Sequence, residues 1–177
     1  MKIKESYIWS LNAYQFKLYM FLKYKDSNIK VNDNKDIKAV ASFLRIPSDL
    51  ILEGLVELEN DRLIKIYADC IVVEEIEVIS SINGMLAWAH TYIQGSIPMK
   101  IKESYIWSLK AYQFKLYMFL KYKDSNIKVN DNKDIKAVAS FLRIPSDLIL
   151  EGLVELENDG LIKIYADCIV VEEIEVI

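Results

Sequence analysis

Residues 138–164 read VASFLRIPSDLILEGLVELENDGLIKI, and the same stretch occurs at 40–66 with one change, Arg62 in place of Gly160. Its spacing predicts a helix, a tight turn, a second helix and a strand. In the first copy Ala39, Val40, Phe43 and Leu44 belong to a helix that opens at Asn34 or Asp36. Pro47 disfavours helical geometry in the residue before it, so that helix should stop at Arg45-Ile46. Ser48 is placed to cap the next helix, which runs to about Asn60 with Ile51, Leu52, Leu55 and Leu58 on its inner face. Residues 63–67 and 70–73 have strand composition, and Ala68-Asp69 between them has the length of a hairpin connection.

Working outward, residues 11–25 (LNAYQFKLYMFLKYK) repeat apolar side chains at helical spacing through Leu11, Tyr14, Leu18, Phe21 and Leu22. Ser10 is a candidate cap for this helix, with Asn12 competing for the role. Asp26-Ser27-Asn28 breaks it. Residues 29–31 then suggest a short edge strand, and Asn32-Asp33-Asn34 a polar turn. The order helix, short strand, helix, turn, helix, hairpin is that of the winged-helix variant of helix-turn-helix, an α+β class.

Within that class, LNAYQFKLYMFLKYK followed by LRIPSDLILEGLVELENDGLI resembles the N-terminal domains of DnaD-type and phage replication-organiser proteins. The resemblance covers nearly all of each copy. It implies oligomerisation and partner contacts in DNA replication, since such domains mainly mediate assembly.

The duplication extends far beyond the quoted stretch. Residues 1–79 and 99–177 match at an offset of 98, and only Asn12/Lys110 and Arg62/Gly160 differ. A solenoid repeat usually spans about 20–50 residues, so a period this long means two whole domains in tandem or a dimer written as one chain. Near-identity means a very recent duplication or a deliberate fusion, and we favour the fusion. The expected organisation is a winged-helix unit at 1–79, a bridge at 80–98 and a second winged-helix unit at 99–177.

The chain is 53% hydrophobic and 27% charged, which excludes a disordered tail, and its net charge of −4 argues against a generic polyanion binder. One cysteine per copy, Cys70 and Cys168, is no disulfide framework. Each reads as a small buried residue opening a strand, with a disulfide between copies as the alternative. No signal peptide precedes the first apolar run, and no apolar run approaches the ~18 residues of a membrane span. Cytoplasmic localisation and no membrane partner are therefore expected.

In a DNA-reading winged helix the third helix enters the major groove, so its solvent face should carry cations and amides. Here that face presents Asp49, Glu53, Glu57 and Asn60, repeated as Asp147, Glu151, Glu155 and Asn158, and no Lys or Arg lies between Ser48 and Asp61. Carboxylates facing phosphates are repelled and release no counterions. Residues 1–47 hold nine Lys/Arg against four Asp/Glu, whereas residues 48–79 hold two against nine. One reading is two ordinary solvated faces. The sharper reading is head-to-tail assembly, with the acidic helix of one unit against the basic half of another. Asp49, Glu53, Glu57, Asp147, Glu151 and Glu155 are then the interface candidates.

The basic half is the only nucleic-acid surface the sequence offers. Its candidates are Lys17, Lys23, Lys25, Lys30, Lys35, Lys38 and Arg45, with Lys115, Lys121, Lys123, Lys128, Lys136 and Arg143 in the second copy. Such contacts position a protein without reading sequence. No catalytic constellation is present: the single histidine, His90, is outside both repeats, and no Gly-rich phosphate loop exists. Neither cofactor nor metal is expected.

The bridge SSINGMLAWAHTYIQGSIP is too apolar for a free linker. Its spacing predicts a capped helix that packs on the first copy or sits between the copies with Trp88 and Tyr92 as anchors. A partner-derived peptide built into the chain is a third reading. Gly160 suits the left-handed conformation that ends many helices, and Arg62 there is strained or marks a different helix end. The leading expectation is a non-enzymatic assembly module of DNA replication, as a tandem pair or single-chain dimer with itself or a replication protein as partner. The alternative is a regulator of transcription or replication that contacts duplex DNA through its basic half.

Overall fold

A computed structural model describes residues 2–25, 28–74, 77–79, 99–123, 126–172 and 174–176. The expected bridge helix, with Trp88 and Tyr92, lies outside them. The described residues form eight helices, two antiparallel hairpins and two parallel strand pairs, an α+β arrangement. The first copy contains β1 (Lys2–Lys4), α1 (Glu5–Ser10), α2 (Ala13–Tyr24), α3 (Asn34–Leu44), α4 (Ser48–Asn60), β2 (Ile64–Ile66), β3 (Ile71–Val73) and β4 (Glu77–Ile79). The second repeats the order as β5 (Met99–Ile101), α5 (Glu103–Ser108), α6 (Ala111–Tyr122), α7 (Asn132–Leu142), α8 (Ser146–Asn158), β6 (Ile162–Ile164), β7 (Ile169–Val171) and β8 (Ile174–Val176).

The hairpin falls where the alternation placed it, with Ile64 opposite Val73 and Ile66 opposite Ile71. Cys70 and Cys168 stand just before the second hairpin strands as free, half-buried thiols, so the disulfide alternative is removed. The parallel pair of β1 with β4, in register Lys2 to Glu77, was not expected, and β5 with β8 keeps that register at Lys100 and Glu175. Segments of three residues are too short for periodicity to reveal.

The first expected helix, 11–25, is α2, and a short helix that was not expected, α1, precedes it. Six residues form α1, the chain turns at Leu11-Asn12, and α2 starts at Ala13. Asn12 is the cap: its Oδ1 accepts from the Gln15 amide at 2.9 Å while Gln15 Oε1 accepts from the Asn12 amide at 2.9 Å. The Ser10 hydroxyl instead donates back to the Tyr7 carbonyl at 2.7 Å. Residues 29–31 are not a strand. Ile29 is buried in the core, and the Lys30 amide is satisfied by the Asp36 carboxylate at 3.0 Å rather than by a sheet partner.

α3 ends one residue earlier than the proline alone requires. Arg45 adopts a left-handed conformation (φ 53°), and the Ile46 amide donates to Ala41 O at 3.0 Å, closing a Schellman motif. Ser48 is the first helical residue of α4 rather than its cap, and Pro47 holds the cap position without a side-chain bond. Ile51, Leu55 and Leu58 are buried as expected, but Leu52 is 42% exposed and does not belong to the inner face. Gly54 lets α4 approach α2 closely: a Cβ there would stand 3.1 Å from Leu18 Cδ2. Arg62 takes φ 59° and its equivalent Gly160 φ 73°, with matching 2.9 Å bonds from the next amide to Leu58 O and Leu156 O. Both copies therefore end this helix in the same way.

Candidate interface between the two copies

α2 has almost no polar face. Gln15, Phe16, Lys17, Leu18, Tyr19, Met20, Phe21 and Leu22 are all buried, as are their equivalents in α6. A helix buried all round needs neighbours on more than one side. One neighbour of α2 is α4 of its own copy, and another is α6 of the second copy. The run LYMFL was the sequence signal for this second contact, because one 79-residue unit has too few elements to cover it.

Aromatic rings lock the two copies reciprocally. Trp9, fully buried, stacks on Phe16 (5.2 Å, 18°) and meets Phe119 of the other copy edge-on at 5.8 Å. Trp107 stacks on Phe114 (5.3 Å, 22°) and meets Phe21 edge-on at 5.9 Å. Phe16 and Phe114 face each other at 6.4 Å. If residue i meets residue j of the other copy, then j meets i, which defines an isologous two-fold contact. Offset and edge-on pairs of this kind each contribute roughly 0.5–1.5 kcal/mol beyond their buried area. The head-to-tail arrangement expected from charge is therefore not the one formed.

At the centre lie two buried lysines. Lys17 Nζ donates to Leu44 O at 2.6 Å, at the end of its own α3, and also to Leu109 O in the other copy. Lys115 donates to Leu142 O at 2.5 Å and to Leu11 O. Each ammonium also lies over a ring of the other copy, Lys17 at 5.7 Å from Phe114 and Lys115 at 5.6 Å from Phe16. Leu11 and Leu109 sit at the turns between α1 and α2 and between α5 and α6, so each lysine fastens the other copy's turn. Burial pushes Lys17 and Lys115 down to about 7, and the Arg45 and Arg143 guanidinium groups add to this. Lys17 and Lys115 are thus removed from the phosphate-contact candidates.

At the periphery Lys123 pairs with Glu5 at 3.3 Å, and Glu5 also accepts from Trp9 Nε1 at 3.2 Å. Tyr7 is pushed up to about 12 by burial and by its bond to Asp61, while Arg143 of the other copy pulls the other way. Tyr105, Asp159 and Arg45 repeat that triad with the copies exchanged.

Among the acidic candidates, Glu155 lines a pocket with Arg45 of the other copy, whereas the hydrogen bonds of Glu53, Glu57, Glu151 and Glu155 stay within their own copy. Asp49 and Asp147 are exposed in the first turns of α4 and α8. Glu53 and Glu57 accept from Tyr14 Oη of their own copy at 3.0 and 3.2 Å, and Glu57 also accepts from Gln15 Nε2 at 2.5 Å. Glu151 and Glu155 accept from Tyr112 at 2.9 Å each. The Asn12/Lys110 difference acts here. Lys110 Nζ, whose side chain has no acceptor for the Gln113 amide, bonds Glu155 at 2.6 Å instead, which holds that carboxyl below its usual range. The remaining basic candidates are spread out: Lys25, Lys30, Lys38, Lys128 and Lys136 are exposed, Lys23 and Lys121 are half-buried, and Arg45 and Arg143 lie where the copies meet.

No protein-family model, no curated protein and no solved structure matches the chain. Among the described residues, no group of three His, Cys, Asp or Glu side chains is placed to hold a metal, and no helix is long and apolar enough to cross a membrane. The functional residues that sequence reasoning missed are Trp9, Phe16, Phe21 and their equivalents, whose helical spacing looks the same whether they face an internal core or a second copy.

Proposed function

We propose that the chain is a non-enzymatic assembly module, two winged-helix units held as a dimer in one polypeptide, and that it serves DNA replication. The observation that carries the assembly reading is the reciprocal set Trp9–Phe119 and Trp107–Phe21 around the buried lysines. An interface centred on buried aromatic anchors is of the kind that dominates stable association. The link to replication rests on the resemblance of the α2 and α3–α4 segments to replication-organiser domains.

The solvent face of α4 supports assembly over base reading. Its exposed residues are Asp49, Leu52, Glu53, Val56, Glu59 and Asn60, with no cation among them. A groove-reading helix gains affinity by releasing counterions from phosphates, and this face has no side chain able to do so.

Electrophoretic mobility titration against duplex DNA over a range of salt concentrations tests the reading. Weak binding with a shallow salt slope is expected. Tight binding with a steep slope, lost in the Lys23→Glu, Lys121→Glu double variant, favours the DNA-binding regulator instead.

A further inference from the structure

The exposed residues of α4 form a stripe of their own. Leu52 and Val56, one turn apart, are 42% and 55% exposed. At helical spacing, Asp49 and Glu53 fall on one side of them and Glu59 on the other, all exposed. An apolar seam with charges beside it is the pattern by which one helix packs along another. The contact between the copies leaves this seam open, since α2 and α6 meet while Leu52 and Val56 stay exposed. The same stripe stands on α8 at Leu150 and Val154. We propose that this face docks an amphipathic helix of a partner protein, one whose apolar seam is bordered by lysine or arginine. The proposal names the partner class of the assembly module and rests on that reading.

Charge decides the occupant. No Lys or Arg lies between Ser48 and Asp61. Glu53 accepts from the Tyr14 hydroxyl at 3.0 Å, and Glu59 accepts from the Ile66 amide at 2.8 Å. Both donors are neutral, so they leave the negative charge of the face uncancelled. Of the two cations in residues 48–79, Lys65 is paired with Glu74 at 3.4 Å, and Arg62 stands past the end of α4. Lysine or arginine beside an incoming apolar seam complements this border, which fixes the register and orientation of the incoming helix.

A second copy of the chain fits the face less well. Another α4 brings like charge. α3 brings the exposed Lys35 and Lys38 without an exposed large apolar side chain, and on α7 the exposed Phe141 is packed against Trp9 and Phe119. The hairpin brings the exposed Tyr67 and Val72, but its Lys65 is already paired.

The two faces differ in charge. Lys110 Nζ lies 3.6 Å from Glu151 and 2.6 Å from Glu155, which partly neutralises the second face. Asn12 supplies no such cation to the first. The first copy's face therefore holds a basic helix more tightly than the second.

The test is fluorescence anisotropy of a labelled helical peptide titrated with the full chain. The peptide has about 14 residues, enough to run beside α4, with leucines along one seam and lysines bordering it. Binding is expected to saturate and to weaken as salt is raised. A peptide with glutamate for each lysine, and one of the same composition in scrambled order, should bind at least about tenfold more weakly. The Leu52→Gln, Val56→Gln, Leu150→Gln, Val154→Gln variant should lose about tenfold in affinity with its thermal midpoint in place, because the positions are exposed and glutamine is a good helix former. Asn12→Lys, which copies the ion pair of the second face onto the first, should lose about two- to fivefold. Equal binding of the glutamate or scrambled peptide, undiminished affinity in either variant, or no saturable binding would each overturn the proposal. The assembly reading survives those results if duplex DNA also fails to bind. Self-association of the chain that the four glutamines abolish would put a second copy on this face and overturn the proposal. Displacement of the peptide by duplex DNA would overturn the proposal and the assembly reading together.

Discussion

The ammonium of Lys17 donates to the carbonyl of Leu109, 92 residues away in the other copy. Lys115 returns the same bond to Leu11. Two titratable groups buried where the copies meet make the packing of the copies dependent on pH. The lowered lysine values mean that the unfolded chain holds protons that the folded chain has released between about pH 7 and the ordinary lysine value near 10.5. Stability therefore rises with pH across the lower part of that window. Tyr19 and Tyr24 act in the opposite sense, since burial pushes both up and stability is lost once unfolded tyrosines ionise near pH 10. Urea midpoints should climb from about pH 7 to 9 and then fall. The Lys17→Met, Lys115→Met variant should flatten the climb and leave the fall.

The edge-on contact of Trp9 with Phe119 joins residues of different copies. A double-mutant cycle with Trp9→Leu and Phe119→Leu should give a coupling energy of about 0.5–1.5 kcal/mol in equilibrium unfolding. Strict additivity would mean that the rings do not touch in solution.

Arg62 and Gly160 occupy the same left-handed helix end. A Cβ at Gly160 would meet nothing within 4 Å, so backbone strain alone separates the two residues. Arg62→Gly should stabilise the chain by about 1 kcal/mol in thermal or urea unfolding. Gly160→Arg should cost a similar amount.

Asn12 caps α2, whereas Lys110 cannot cap α6 and pairs with Glu155. Asn12→Ala should cost about 1 kcal/mol. Lys110→Asn should restore the cap and lose the ion pair. Because salt screens the exposed pair and not the cap, this variant should gain on the parent as salt is raised to about 1 M.

Much of this fold was legible in the sequence, for reasons that particular residues make plain. Ile51, Leu55 and Leu58 repeat at helical spacing against a solvated face, and Ile64, Ile66 and Ile71 alternate around a two-residue connection, so α4 and the hairpin were foreseen. α1 was hidden because six residues give less than two turns of pattern, and Leu11 looked continuous with α2. Leu52 was misplaced because an apolar residue beside a buried one on a helix need not share its face. The interface was misjudged for a different reason. Charge asymmetry between residues 1–47 and 48–79 suggested pairing of opposite faces, but Glu53 and Glu57 are taken up by Tyr14 within one copy. Lys17 looked like a surface cation until α6 covered it.

The central claim is that residues 1–79 form a self-complementary surface that the second copy fills. Light scattering of the isolated 79-residue unit tests it most directly. The account predicts a dimer with twice the mass of the unit, shifted to monomer by Phe16→Asp. A folded monomer at every accessible concentration would contradict it.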